Sequence, residues 1–119
     1  MITYDLYLES GPRHKTTMVH VLGLLGCIAN GRTTGQALTA TPDAIRAFQR
    51  FLVDHGESAD AAAPFETRVA EHITEGYFLG SGDNSIDFTP DLEPLRLDQL
   101  VVYTRRLAWL HADLLAQVA

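Results

Sequence analysis

The sequence predicts an α+β fold: an antiparallel sheet of three to four strands with one main helix packed on a face, followed by a long C-terminal helix. Three observations support this prediction. Residues 3–9 and 16–22 show the two-residue alternation and β-branched composition of paired strands. Residues 33–56 place apolar side chains at helical spacing behind a capping motif. In residues 97–118 the apolar positions recur every seven residues, which is typical of a long amphipathic helix.

The strands come first along the chain. A polar turn containing Gly11 joins the first two strands into an antiparallel hairpin. A sharp turn at Gly26 then leads into a short third strand at 27–29, which ends at Gly31. Residues 65–73 alternate again and predict a fourth strand with one solvent-facing side. The inward set is apolar apart from one glutamate: Phe65, Thr67, Val69, Glu71 and Ile73.

The main helix has recognisable signals at both ends. Thr33 and Gln36 have the spacing of a capping box, and Gly56 is suited to the left-handed position that ends a helix. Pro42 predicts a kink or brief break near residues 39–41. The predicted core-facing stripe consists of Ala44, Ala47, Phe48, Phe51 and Leu52. The predicted water-facing residues are Asp43, Arg46, Gln49 and Arg50.

These elements predict a three-part organisation. Residues 1–75 form the α+β domain, 76–96 a glycine-rich acidic loop, and 97–119 a helix that packs on the domain or on a second subunit. Apolar side chains of the loop pin it to the body: Tyr77, Phe78, Leu79, Ile86, Phe88 and Leu92.

The apolar stripe of the last helix is wider than one covered face requires. Exposed apolar patches of that size are uncommon on monomers, so we expect a second copy of the chain to cover this stripe. We therefore predict a homodimer. The candidate self-association residues are Leu100, Val101, Leu107, Trp109, Leu114 and Leu115.

Composition and charge limit which kinds of molecule the chain is expected to bind. The chain has 119 residues, enough for one compact domain, and 46% of them are hydrophobic. No apolar run is long enough to span a membrane, and the first residues lack the pattern of a signal peptide, so a cytoplasmic protein is expected. Residues 54–98 carry eleven acidic and two basic side chains. Such charge disfavours direct nucleic-acid binding and favours a basic protein partner.

The residue patterns predict neither an enzyme nor a cofactor or metal site. The five histidines (14, 20, 55, 72 and 111) lack the close pairs of metal sites, although His20 and His72 approach each other if their strands are neighbours. Cys27 is expected to be a small buried thiol, and the glycines around Ser81 to form a loop rather than a nucleophile turn. The strand carboxylates are too dispersed to hold the two metal ions of a nuclease.

The segments TYDLYLES, MVHVLGLLGCIANGRTTGQAL and ATPDAIRAFQRFLVDHGE together resemble the HicB-like antitoxin domain family. The matching residues are Gly26-Cys27, Gly31-Arg32-Thr33 and Ala37-Leu38, within residues 3–73. The chain departs from the family at Leu25, where proline is usual. The resemblance implies a partial ribonuclease-H-like fold that binds and neutralises a small basic ribonuclease toxin.

The remainder of the chain departs from the family pattern. No helix-turn-helix or ribbon-helix-helix follows residue 73, so operator binding is not expected. The tail resembles the linker and first helix of HicB-like proteins fused to a DinB-like domain. This resemblance leaves a second hypothesis open: an orphan regulatory or ligand-binding module that binds a small ligand between sheet and tail helix. A metal-dependent enzyme is a third, weaker hypothesis, which metal analysis of the purified protein would test.

Overall fold

The computed structural model describes residues 2–12, 15–24, 26–57, 62–75, 88, 90, 94 and 96–118. The strands are β1 (Ile2–Ser10), β2 (Lys15–Val21), β3 (Cys27–Thr33) and β4 (Phe65–Ile73). The helices are α1 (Thr34–Asp54) and α2 (Leu97–Val118). The predicted α+β class is confirmed: a four-stranded sheet carries α1 on one face, and α2 follows at the end of the chain.

The sheet is mixed, so the prediction of an antiparallel sheet is wrong in one respect. The strand order is β3-β2-β1-β4; β2 is antiparallel to both of its neighbours, whereas β4 is parallel to β1. The direction of β4 follows from the helix before it. Because α1 carries the chain back to the end of the sheet where β3 began, the next strand must run in the same direction as β3 and β1.

A β-bulge in β4 reverses the alternation that the sequence predicted. Leu6 pairs with Val69, but the next residue of β1, Tyr7, pairs with Glu71. Since Leu6 and Tyr7 point to opposite faces, Val69 and Glu71 do too. The predicted set therefore splits after Val69, and both Glu71 and Ile73 lie on the other face of the sheet.

The core lies between the sheet and α1. Its buried members are Leu6, Leu8, Val19, Val21, Leu24, Cys27, Ala29, Ala37, Ile45 and Leu52. The stripe predicted for α1 is correct at Leu52, which is buried, and at Ala44, Phe48 and Phe51, which are partly buried against the core. It omits the fully buried Ile45 and includes Ala47, which is exposed. Gln49 was predicted to face water but is buried. Its side-chain amide donates a hydrogen bond to the Tyr4 hydroxyl at 3.1 Å, so this buried donor is satisfied.

The start of α1 confirms the predicted capping residues. The Thr33 Oγ1 accepts from the Gln36 N–H at 3.1 Å, and the Gln36 Oε1 accepts from the Arg32 N–H at 3.2 Å. The predicted break near residues 39–41 is absent: α1 continues through Pro42 without interruption. The buried Thr41 hydroxyl in the preceding turn donates to the Ala37 carbonyl at 2.8 Å.

Strand β3 runs straight into α1, so the predicted end of this strand at Gly31 is wrong. The backbone of Gly31 lies against the first turn of α1, and a Cβ built at this position would lie 2.5 Å from the Ala37 nitrogen. Only glycine allows the strand and helix backbones to approach so closely.

The end of α1 has the predicted glycine in the left-handed region, Gly56 with φ +91°. The Gly56 N–H donates to the Val53 carbonyl at 2.9 Å and the Glu57 N–H to the Leu52 carbonyl at 3.0 Å. This pair of bonds is a Schellman motif. It stops the helix and holds Glu57 at a defined position beyond its end.

On the sheet face opposite α1, Phe88 is buried against Tyr7 and His20, with ring centroids 5.6 Å and 5.4 Å away. Phe88, one of the predicted anchors, therefore packs on the body of the domain. The other predicted anchors, Tyr77, Phe78, Leu79, Ile86 and Leu92, and the loop at Ser81 lie outside the described residues. The division at 75 and 96 stays a prediction. Among the described residues, neither helix has the length and apolar character needed to cross a membrane.

Candidate functional site

Helix α2 packs against the C-terminal end of α1 through an aromatic stack. The Trp109 indole lies nearly parallel to the His55 ring, with centroids 4.9 Å apart and planes at 12°. Phe51 meets the same indole edge-on at 6.5 Å. Trp109, predicted for self-association, therefore contacts the domain of its own chain.

An ion-pair cluster completes this attachment. The Arg106 Nε and Nη2 donate to the two Glu57 oxygens at 2.9 Å and 2.8 Å, and Arg105 Nη2 lies 3.6 Å from Glu57. The hydrogen bonds from Arg106 lower the pKa of Glu57 below its ordinary value, and the same bonds raise the pKa of Arg106. Two turns closer to the C-terminus of α2, an oxygen of Asp113 lies 3.0 Å from His55 Nε2.

The opposite side of α2 is apolar and exposed; we call it the α2 outer face. Its aliphatic side chains are between 49% and 77% exposed: Leu97, Leu100, Val101, Leu107, Leu114 and Leu115. Five of the six predicted self-association residues thus share one face, and only Trp109 lies on the other. Among the described residues, nothing covers the α2 outer face. Contiguous exposed apolar patches larger than a few hundred Å² are uncommon on monomers and often mark interaction sites.

An apolar groove of about 340 Å³ adjoins this face, between the start of β3 and α1. Leu110, which is 40% exposed, forms one wall and connects the groove with the leucines of α2. The other lining residues are Gly26, Cys27, Ile28, Ala44, Ala47, Phe48 and Phe51. Cys27 is buried as predicted, and burial raises the pKa of its thiol to about 11. A thiol with so high a pKa is a poor nucleophile at neutral pH.

Strand β4 forms one edge of the sheet and carries alternating charge. Glu66 is exposed on it, and Arg68 pairs with Asp5 of β1 at 2.7 Å. No strand pairs with the outer side of β4 within the part of the chain that the structure describes. The bulge and the charged side chains limit non-specific pairing of this edge with strands of other proteins.

Two hydrogen-bonded clusters occupy opposite faces of the sheet. On the α1 side, Ser10 Oγ contacts His72 Nε2 and Thr17 Oγ1, each at 2.7 Å, and Thr34 joins them. On the other side, the buried Glu9 contacts His20 Nε2 at 2.9 Å. Ser10 is fully buried, so its hydroxyl cannot reach a substrate despite the nearby imidazole.

His20 and His72, which would approach each other on neighbouring strands, do not meet. β1 separates the strands of His20 and His72, and the two imidazoles bind different partners. Within the described ranges, no group of three or more histidine, cysteine or carboxylate side chains could hold a metal ion.

A cavity of about 220 Å³ lies where the sheet, α1 and α2 meet. Polar side chains from three elements border it: Tyr4 of β1, Gln49 of α1 and Arg106 of α2, with Glu57 beside them. The remaining walls are apolar or small, formed by Ile2, Leu24, Leu52, Ala63, Pro64 and Phe65.

Sequence reasoning missed the residues that attach α2, above all Glu57 and Arg106. One signal was present: an acidic residue directly after Gly56, whose role in ending α1 was recognised. Its partner is 49 residues away, and no local pattern relates two such distant positions.

Comparisons of the chain with models of known families, with curated proteins and with solved structures gave no match. The resemblance to HicB-like domains therefore rests on the residues quoted above.

Proposed function

We propose that this chain is a non-catalytic protein–protein interaction domain of the HicB-like type, which forms a homodimer through the α2 outer face. The orientation of α2 is the main support for this proposal. Its polar and aromatic side chains, led by Arg106 and Trp109, contact the chain's own domain, while its leucines point to solvent. A helix oriented in this way has its apolar surface available for a second protein.

The size of the face suits a dimer. A standard protein–protein interface buries about 800 Å² on each partner, and the six exposed aliphatic side chains along α2 can supply a large part of its apolar area. A helix of 22 residues is about 33 Å long, so two copies can pair over several turns. The groove beside Leu110 extends the same apolar surface onto α1.

The charge distribution favours a second copy of the chain as the occupant. A two-fold dimer places the same patch against itself, so a charge near the two-fold axis lies opposite its own copy. Between the leucines, the α2 outer face carries Thr104, Ala108 and His111, none of which is an acid, a lysine or an arginine. Self-pairing of this face therefore brings no permanent charges together.

The same proposal assigns partner binding to the β4 edge. Residues 54–98 concentrate the negative charge of the chain, and Glu66 is exposed on that edge. An extended segment of a basic protein can add to an open strand through main-chain hydrogen bonds while acidic side chains increase its rate of association. A small basic ribonuclease toxin is the partner that the HicB-like resemblance implies.

Light scattering on a sizing column tests the dimer. We expect a mass twice the 13.1 kDa of one chain. The double variant Leu107→Lys/Leu114→Lys should be monomeric, because two charges enter the apolar patch. Val53→Lys is the matched control, since it places the same charge at an exposed apolar position of α1. A monomeric wild type, or a double variant that still dimerises, contradicts the proposal.

Co-expression tests the partner. We expect a small basic ribonuclease encoded next to this chain to stop growth alone and to be neutralised by co-expression. Glu66→Lys should weaken the complex and its salt dependence. If no small basic protein is encoded nearby, or if the two proteins do not bind, the toxin-binding part fails while the dimer remains testable.

A further inference from the structure

The cavity between the sheet and α2 has hydrogen-bond donors that the chain leaves unused. The Tyr4 hydroxyl accepts a hydrogen bond from Gln49 Nε2 at 3.1 Å, and within the described residues its own proton has no acceptor. Arg106 binds Glu57 through Nε and Nη2, which leaves the Nη1 protons without a partner in the same part of the chain. A ligand in the cavity can therefore accept from two sides.

The charge at this wall favours an anion. Among the described lining residues, Glu57 is the carboxylate that borders the cavity, and it is shared by Arg106 and by Arg105 at 3.6 Å. Among the described residues here, two guanidinium groups share this one carboxylate, so Glu57 neutralises only one of the two positive charges. A carboxylate matches the planar geometry of a guanidinium better than a neutral oxygen does.

The volume limits the size of the ligand. An engineered protein cavity of about 150 Å³ binds benzene. The present cavity of about 220 Å³ has room for a ring of that size together with one small polar group. Its apolar walls, which include Leu24, Leu52 and Phe65, suit a ring or a branched aliphatic chain.

We propose that this cavity binds a small monocarboxylate with an aromatic ring or a branched aliphatic body. The apolar body lies among Leu24, Leu52 and Phe65, and the carboxylate accepts from Tyr4 Oη and Arg106 Nη1. Such a ligand contacts β1 and α2 at once, so binding strengthens the attachment of the last helix. The site is independent of the proposed dimer, because the α2 outer face is on the opposite side of the helix.

Benzoate is the probe, with benzyl alcohol as a neutral molecule of similar size. We expect benzoate to shift the amide resonances of residues around the cavity, with a dissociation constant of roughly 0.1–1 mM for a ligand of this size. It should also raise the melting temperature. Benzyl alcohol should bind at least about tenfold more weakly, because it lacks the charge that pairs with Arg106.

Two variants test the site. Tyr4→Phe should weaken benzoate binding about five- to tenfold through loss of one hydrogen bond. Tyr7→Phe is its matched control, since Tyr7 is on the same strand but packs against Phe88 on the other face of the sheet. Ala63→Phe should abolish binding, because Ala63 lines the cavity and a larger side chain there fills it.

The proposal is overturned if benzoate causes no shifts at millimolar concentration. It is equally overturned if benzoate and benzyl alcohol bind alike and Tyr4→Phe has no effect, because the cavity then accepts any small apolar molecule. Benzoate binding that survives Ala63→Phe places the ligand elsewhere. None of these outcomes affects the dimer, which Leu107→Lys/Leu114→Lys tests separately.

Discussion

The two helices are nearly equal in length, 21 residues in α1 and 22 in α2, yet they use their apolar side chains in opposite ways. In α1 the aliphatic residues Ile45 and Leu52 are buried against the sheet. In α2 the leucines face solvent, and Arg106 and Trp109 make the contacts to the body. An amphipathic pattern identifies a helix and its two faces, but it does not say which face the same chain covers.

The difference follows from how each helix is connected. α1 begins at the residue after β3 and lies against it at Gly31, so its position on the sheet is constrained by the chain itself. α2 follows β4 only after residues 74–96, and its described contacts are concentrated near the C-terminal end of α1. Few core contacts and a polar attachment leave α2 more dependent on individual ion pairs.

The largest expected effect comes from the core of α1. Ile45→Ala should lower the free energy of unfolding by about 3 kcal/mol, because it leaves a cavity beneath the helix. Leu107→Ala on the α2 outer face should cost less than about 0.5 kcal/mol in the monomer. Urea denaturation of both variants over a range of protein concentrations separates folding from dimerisation, because only the latter depends on concentration. Equal losses would show that the two helices are buried to the same extent.

The junction of β3 and α1 gives the next largest effect. Gly31→Ala should cost about 2 kcal/mol, since the new Cβ meets the backbone of Ala37 at 2.5 Å and neither chain segment can easily move. Gly35→Ala is the matched control on the same helix, because its Cβ meets nothing closer than Thr33 Oγ1 at 3.9 Å. We expect that control to gain about 0.5 kcal/mol from helix propensity. Thermal denaturation of both variants measures the contrast.

The attachment of α2 should be sensitive to acid. Glu57→Gln should cost about 1.5 kcal/mol at neutral pH through loss of the charged hydrogen bonds to Arg106. Because folding lowers the pKa of Glu57, this contribution is fully present above the ordinary glutamate pKa of about 4.3 and disappears as the pH falls through the lower folded value. The stability difference between wild type and variant should therefore vanish in acid.

Glu66→Gln on the exposed part of β4 is the control for that experiment. It should change stability by less than about 0.5 kcal/mol at any pH. Tryptophan fluorescence provides a second measurement, because Trp109 reports on α2 directly. A Glu57→Gln difference that persists unchanged in acid contradicts the assigned pairing with Arg106.

The smallest expected effect is at the start of α1. Thr33→Ala should cost about 1 kcal/mol, because the Gln36 N–H loses the hydroxyl that caps it. Thr39→Ala removes a hydroxyl from the exposed side of the same helix, where it donates to the Gly35 carbonyl, and should be neutral or slightly stabilising. Circular dichroism during thermal unfolding distinguishes them. Equal effects would mean that the cap contributes nothing specific.

Local patterns were sufficient for the elements themselves. The bounds of β4, the start and end of α2, the Thr33 cap and the Gly56 turn all follow from spacing and from residue chemistry within a few positions. The α2 outer face also follows from periodicity, since five of its six predicted residues are exposed together. These features depend on interactions between near neighbours, which the order of residues specifies directly.

Only the tertiary structure decided how those elements face one another. The parallel direction of β4, the bulge that places Glu71 on the far face, and the buried position of Gln49 depend on strands and side chains far apart in the chain. The same holds for the inward position of Trp109 and the pairing of Glu57 with Arg106. The sequence by itself determined which segments are strands and helices, because hydrogen bonding and side-chain periodicity act locally. Packing determined which face is covered, because burial is a property of the whole chain.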